Sequence, residues 1–127
     1  MSTRQTGNRH ENAVMTQAEA LGYATFAARG SRGPVDIVCF DDIQGLGNGR
    51  ERDRPHTDAY LIPLVIQVGT TNKPIASTLA ELDAAPRPIG SLCIVARRHR
   101  AKNRRISWTW HSEAGKFESL DALLKAR

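Results

Sequence analysis

Two stretches of the chain, residues 35–40 and 60–68, are apolar at nearly every position. A strand with one face in water alternates apolar and polar side chains, so unbroken runs of this length mark strands covered on both faces. Covered strands need helices above and below, and the remaining pattern supplies them. Residues 8–21 place Val14, Ala18 and Leu21 at the i, i+4, i+7 spacing of a helix stripe, with Gly22 as a stop. After Lys73-Pro74 a second helix runs to about Ala84, with Ala76, Leu79, Ala80 and Leu82 as its expected inner face and Pro86 and Pro88 ending it. Residues 118–125 read as a short third helix with Leu120, Leu123 and Leu124 inward. Residues 24–29, 91–96 and 106–111 are further strands, Pro63 marks a bulge or a strand start, and the polar, Gly-rich residues 41–58 are a long loop. The order α-β-β-β-α-β-β-α predicts a single α/β domain over residues 1–127, a central mixed β-sheet flanked by helices. The 75–84 helix serves as a right-handed crossover to a parallel strand.

A chain of 127 residues with 40% apolar and 24% charged content is long enough to bury a core unaided, which excludes disorder and a disulfide-stapled miniature. The net charge of +5 is unevenly placed. Residues 1–80 hold eight Lys/Arg against eight Asp/Glu, whereas residues 81–127 hold ten against five. Six of the ten, Arg97, Arg98, Arg100, Lys102, Arg104 and Arg105, fall within nine residues. Like charges that close repel one another, and a phosphate backbone relieves the repulsion by counterion release, so nucleic-acid contact is the favoured reading over a merely solvated hairpin tip. No base-reading motif accompanies the run, which points to recognition of backbone or shape.

Cys39 and Cys93 each lie in a short apolar run, with neither metal-ligand spacing nor a secreted-scaffold pattern. No apolar stretch reaches signal-peptide or membrane-spanning length, so the expectation is a soluble, cytoplasmic protein without a membrane partner. Trp108 and Trp110 alternate with Ile106 on one strand, which suits core or interface cover better than base stacking.

The chemistry concentrates in a few polar residues within the apolar strands. Asp36 is the second residue of one covered run and Gln67 is near the end of the next. Antiparallel pairing of those runs brings the two to one sheet edge, and strand parity allows them a common face. Glu11, on the inward edge of the first helix, can reach the same place, and Lys73 follows just beyond Gln67. Hard oxygen ligands with an adjacent lysine are what Mg²⁺-dependent phosphodiester cleavage requires.

This order of residues resembles the PD-(D/E)XK nuclease superfamily and, within it, the archaeal-type Holliday junction resolvases. The resemblance runs from Gly7 to about Leu82 through Glu11, Leu-Gly-Tyr at 21–23, Arg-Gly-Ser-Arg-Gly-Pro at 29–34, Val-Asp-Ile-Val at 35–38 and Ile-Gln-Val at 66–68. It implies a restriction-endonuclease-like core and a Mg²⁺-dependent, structure-selective DNA endonuclease that cleaves branched DNA such as four-way junctions as a homodimer. On this resemblance Glu11, Asp36 and Gln67 hold Mg²⁺ or Mn²⁺, Lys73 orients the water or stabilises the transition state, Ser31 lies near the scissile phosphate, and Arg29 and Arg32 contact the DNA backbone. Gln67-Val68-Gly69 stands where such nucleases carry Glu-x-Lys, so Lys73 has to reach back as a migrated lysine.

Each residue also has a plainer reading. Asn8 and Glu11 fit a capping box, Asp36 can pair with Arg29 or Arg32, Gln67 can satisfy a neighbouring backbone, and Lys73 can be a solvated turn residue. The alternatives to an active nuclease are therefore a DNA-binding module of the same fold that has lost catalysis through Gln67 and Gly69, and a nucleic-acid-binding structural protein whose acids are capped or paired.

Overall fold

The computed structural model describes residues 3–28, 33–41, 62–69, 73–100 and 105–126. The elements are α1 (Thr3–Ala20), β1 (Tyr23–Ala27), β2 (Ile37–Asp41), β3 (Leu64–Gly69), α2 (Ile75–Ala84), β4 (Leu92–Arg100), β5 (Ile106–Ser112), β6 (Gly115–Phe117) and α3 (Leu120–Lys125). All six strands form one mixed sheet in the order β1-β2-β3-β4-β5-β6. β1, β2 and β3 are antiparallel neighbours, β3 and β4 run parallel, and β4, β5 and β6 are again antiparallel. The single parallel pair is the one joined through α2, the crossover expected from the sequence. The α/β architecture with helices flanking a mixed sheet is thus present, with β6 as an added edge strand.

The sheet has two faces. Leu64, Ile66, Ile37, Cys39, Ile94, Ala96 and Trp110 pack with Val14 and Ala18 of α1 and with Leu120, Leu123 and Leu124 of α3. Val65 and Val95 face the other way and pack with Leu82 of α2 and with Val35. Both sides of β3 and β4 are therefore covered, which is why the Leu64–Ile66 run is apolar throughout. Pro63 immediately precedes β3, where its missing N–H is not needed, and its carbonyl accepts Leu92 N at 2.9 Å.

α1 stops where Gly22 adopts φ 98°, with Leu21 N and Gly22 N closing on the carbonyls of Ala18 and Glu19. It begins at Thr3, five residues before Asn8, so the capping-box reading of Asn8 and Glu11 is wrong: both are inside the helix. α2 buries Thr78 and Leu82, with Ile75 and Leu79 partly covered, while Ala76 and Ala80 are exposed. The buried face is therefore turned by roughly a quarter of a turn from the one expected. Ile75, Thr78, Leu79 and Leu82 keep the i, i+3, i+4, i+7 spacing, and the larger apolar side chains take the core. α3 starts at Ser119, whose side chain accepts Ala122 N, and it buries the three expected leucines. No helix among the described residues is long and apolar enough to cross a membrane.

Candidate functional site

β2 and β3 pair antiparallel with Ile37 opposite Ile66, which brings the start of one strand and the end of the other to a common edge. Asp36 is stitched there by its backbone: its N–H donates to Ile66 O at 2.9 Å and its carbonyl accepts Ala28 N at 2.8 Å. Val35 packs toward α2 and Ile37 toward α1, although the two are two residues apart. Regular alternation therefore breaks at Asp36, as at a bulge, and parity no longer assigns its side chain to either face. The carboxylate instead accepts Val68 N through Oδ2 at 2.8 Å. Burial raises the Asp36 pKa, and the Val68 N–H only partly opposes it. The acid is thus adjacent to the Gln67–Val68 segment in a setting where its charge is costly.

Gln67 stands opposite Val95 in the parallel register and shares the α2 side of the sheet with Val65. Its amide oxygen accepts Nη1 of Arg97 at 3.1 Å; arginine only donates, which fixes the amide orientation. Arg97 also donates through Nη2 to Lys73 O at 3.4 Å and Thr78 Oγ1 at 3.5 Å. At 4% exposure it is a buried residue, which corrects its assignment to the solvent-facing basic handle. The physical reason is strand geometry: β4 continues through Arg100, so Arg97 follows Cys93 and Val95 on the α2 side instead of lying at a hairpin tip. It stands directly opposite Gly69, where the sequence resemblance called for a lysine.

Lys73 does not reach back. Its Nζ donates to both carboxylate oxygens of Glu81 at 2.8 Å, because a turn of α2 presents an anion close to the lysine's own backbone. Glu11 has Oε1 buried, but α1 packs on the face opposite the Gln67 side chain. Among the described residues no group of three or more His, Cys, Asp and Glu is placed to hold a metal ion. The fold thus brings Asp36, Gln67 and Arg97 to one region, and leaves Lys73 outside it.

A second feature lies on the α1 side. Arg9 and His10 of α1, Arg98 and Arg100 of β4, and Ile106 and Trp108 of β5 line an open groove of about 400 Å³. His10 Nε2 is 2.5 Å from Arg98 Nη1, which makes it the acceptor, and burial together with that guanidinium lowers its pKa. The His10 ring meets Trp108 edge-on at 6.3 Å. Three arginines beside an aromatic in an open groove suit a nucleic-acid backbone with a base or sugar against the ring. Arg9 and His10 were not singled out in the sequence, and Trp108 was read there as core or interface cover in preference to base stacking. The signal was available in the register, since Arg98 and Trp108 are equidistant from the centre of the β4–β5 hairpin. Arg105 is exposed. Trp110 is fully buried core, as one of its two sequence readings required. Arg29, Ser31, Arg32, Lys102 and Arg104 lie outside the described residues.

No family model, curated protein or solved structure matches the chain significantly.

Proposed function

We propose that the protein is a restriction-endonuclease-like, Mg²⁺-dependent DNA endonuclease that acts on branched DNA as a homodimer. The observation that carries this reading is the half-buried Asp36 carboxylate held on Val68 N, next in the chain to Gln67, whose amide oxygen accepts from the buried Arg97 guanidinium. An anionic and a neutral oxygen from adjacent strands fit a hard cation by donor type. Mg²⁺ keeps several waters and commonly needs only one or two carboxylates plus substrate phosphate, so a full protein cage is unnecessary. Asp36 would be its main anionic ligand, with the second lone pair of Gln67 Oε1 as the other protein oxygen; Glu11, on the α1 side, is left out of the set. Bound there, the ion would supply a hydroxide-like water and polarise the phosphoryl oxygen.

The chain's own residues do the rest. Asp36 is held by Val68 N–H so that one oxygen is fixed in direction. Arg97 takes the role first assigned to Lys73: a fixed cation beside the site, able to offset charge developing on the phosphate. Arg9, Arg98 and Arg100 hold flanking phosphates without reading sequence.

One observation favours a second reading, a DNA-binding module without catalysis: the lysine position is Gly69, and Lys73 is tied to Glu81. Labelled four-way junction, duplex and single strand incubated with Mg²⁺ or Mn²⁺ separate the two. The nuclease reading expects junction cleavage that Asp36→Asn reduces at least about 100-fold. Tight junction binding without cleavage, indifferent to Asp36→Asn, overturns it in favour of the binding module.

A further inference from the structure

The α2 side of the sheet carries another polar cluster, on β4 and β5, that the proposed chemistry does not use. His99 Nε2 lies 2.7 Å and His111 Nε2 3.0 Å from the same atom, Thr109 Oγ1. A hydroxyl has one proton, so with both rings neutral one imidazole donates its Nε2–H to the oxygen while the other accepts the Oγ–H. Thr109 stands directly opposite Arg97, and His111 opposite Val95, so both imidazoles, the hydroxyl and the guanidinium share one face. Lys116 of β6 pairs with His111 on that face. α2 covers Arg97 through Thr78 but packs on β3 and β4.

Two observations give the cluster a ligand. Arg97 is buried, yet every acceptor it has among the described residues is neutral, and its Nε is buried with no partner. A guanidinium removed from water without a counter-ion is costly, and an anion offsets that cost. Second, burial and, after it, Lys116 and Arg97 lower the His111 pKa, and those two cations stand on the same face as the ring, so they set a positive local potential. That potential opposes a metal cation between the imidazoles and favours an oxyanion.

We propose that Arg97, His99, Thr109 and His111, with Lys116 at the rim, form a phosphate-binding subsite. The fork of Arg97 and the Nδ1–H of the imidazole that accepts from Thr109 match the acceptor oxygens of one phosphate group, with Thr109 fixing both rings. Thr109 and His111, on β5, lie two strands from Gln67, about 10 Å across the sheet, with Arg97 between them and Gln67, so a phosphate held there is a neighbour of the one at Asp36. It shares Arg97 with the nuclease reading but does not depend on metal or cleavage.

The test is a titration of the full chain with inorganic phosphate, against chloride at matched ionic strength, read on the ring nitrogens of His99 and His111 by ¹H–¹⁵N correlation. Phosphate should shift both rings where chloride does not. His99→Gln, at an exposed position, should weaken the phosphate dissociation constant by roughly tenfold, and Arg97→Met by at least as much. Asp36→Asn should leave the response intact, which keeps failure of the subsite distinct from failure of the nuclease reading. Phosphate shifts no larger than those of chloride, or a response unchanged in His99→Gln, overturn the proposal. A short oligonucleotide that displaces phosphate from the rings supports it with a nucleic-acid backbone as the source, and phosphate that resists displacement supports it with a phosphomonoester as the source.

Discussion

Toward α1 and α3 the sheet presents Ile37, Leu64, Ile66, Ile94 and Trp110, all with no solvent exposure. Toward α2 it begins the same way, with Val65 and Val95, and then changes to Gln67, Arg97, Thr109, His99 and His111 along the same strands. The two sides share backbone, register and twist, so their difference is purely one of side chains and helix cover. Over these residues the first side is closed by packing, and its polar groove lies only toward the Arg98–Arg100 end of β4. The other accepts groups whose burial is unfavourable, and such groups are retained at sites that hold a ligand.

The sharpest way to break this contrast is a pair of substitutions at adjacent positions of β5. Trp110→Ala empties the α1 side and should cost about 3–5 kcal/mol in denaturant unfolding, whereas Thr109→Val on the α2 side should stay within about 1 kcal/mol. Equal losses would show that the α2 side is structural core after all. Next in size is Asp36→Asn. Its amide oxygen can still accept Val68 N–H while the unfavourable buried charge disappears, so stability at neutral pH should rise by roughly 0.5–2 kcal/mol as cleavage is lost. A destabilised Asp36→Asn would place the acid among the structural ion pairs. Arg97→Met should change stability by no more than about 1 kcal/mol, because a buried charge with neutral partners contributes little that an apolar isostere of similar length cannot. A loss of several kcal/mol would make Arg97 a structural keystone.

The pH dependence follows the same division. His10 and His111 both have lowered pKa values, so the unfolded chain takes up their protons first, and stability should fall as pH drops through about 6.5. Asp36 acts oppositely: with its pKa raised, the folded state gains its proton first, and part of the loss should return at still lower pH, as the carboxyl protonates. A melting series across this range, repeated on His10→Gln/His111→Gln, should lose the first slope and keep the second. The smallest effect belongs to Lys73→Ala. An exposed pair with Glu81 is worth at most about 1 kcal/mol, and cleavage should be unchanged.

The sequence showed most of the fold for a physical reason. Val14 and Ala18, the doubly covered runs and the proline-bounded α2 are local patterns with large burial behind them, and they survive tertiary context. The roll of α2 was missed because Ala76 and Ala80 count as apolar on any scale, although Ile75 and Thr78 cover more surface when turned inward. At the site, the meeting of Asp36 with the Gln67–Val68 segment followed from antiparallel pairing alone. The bond from Arg97 to Gln67 did not, because an arginine inside a charge run reads as solvated. The alternation Cys93, Val95, Arg97, His99 carried the information, once β4 is allowed to continue into the basic run.

That continuation has a further consequence. β3 ends at Gly69, opposite Arg97, so among the described residues Arg98, His99 and Arg100 have a strand neighbour only on the β5 side. Among the described residues their other flank is a short ribbon edge, the kind of backbone template that recruits a second chain into an extended sheet. Two arginines set into that edge resist such recruitment by charge repulsion. Neutralising Arg98 and Arg100 to probe DNA binding would therefore also lower the barrier to aggregation, and lysine replacements, which keep the charge, are the cleaner probes of the groove.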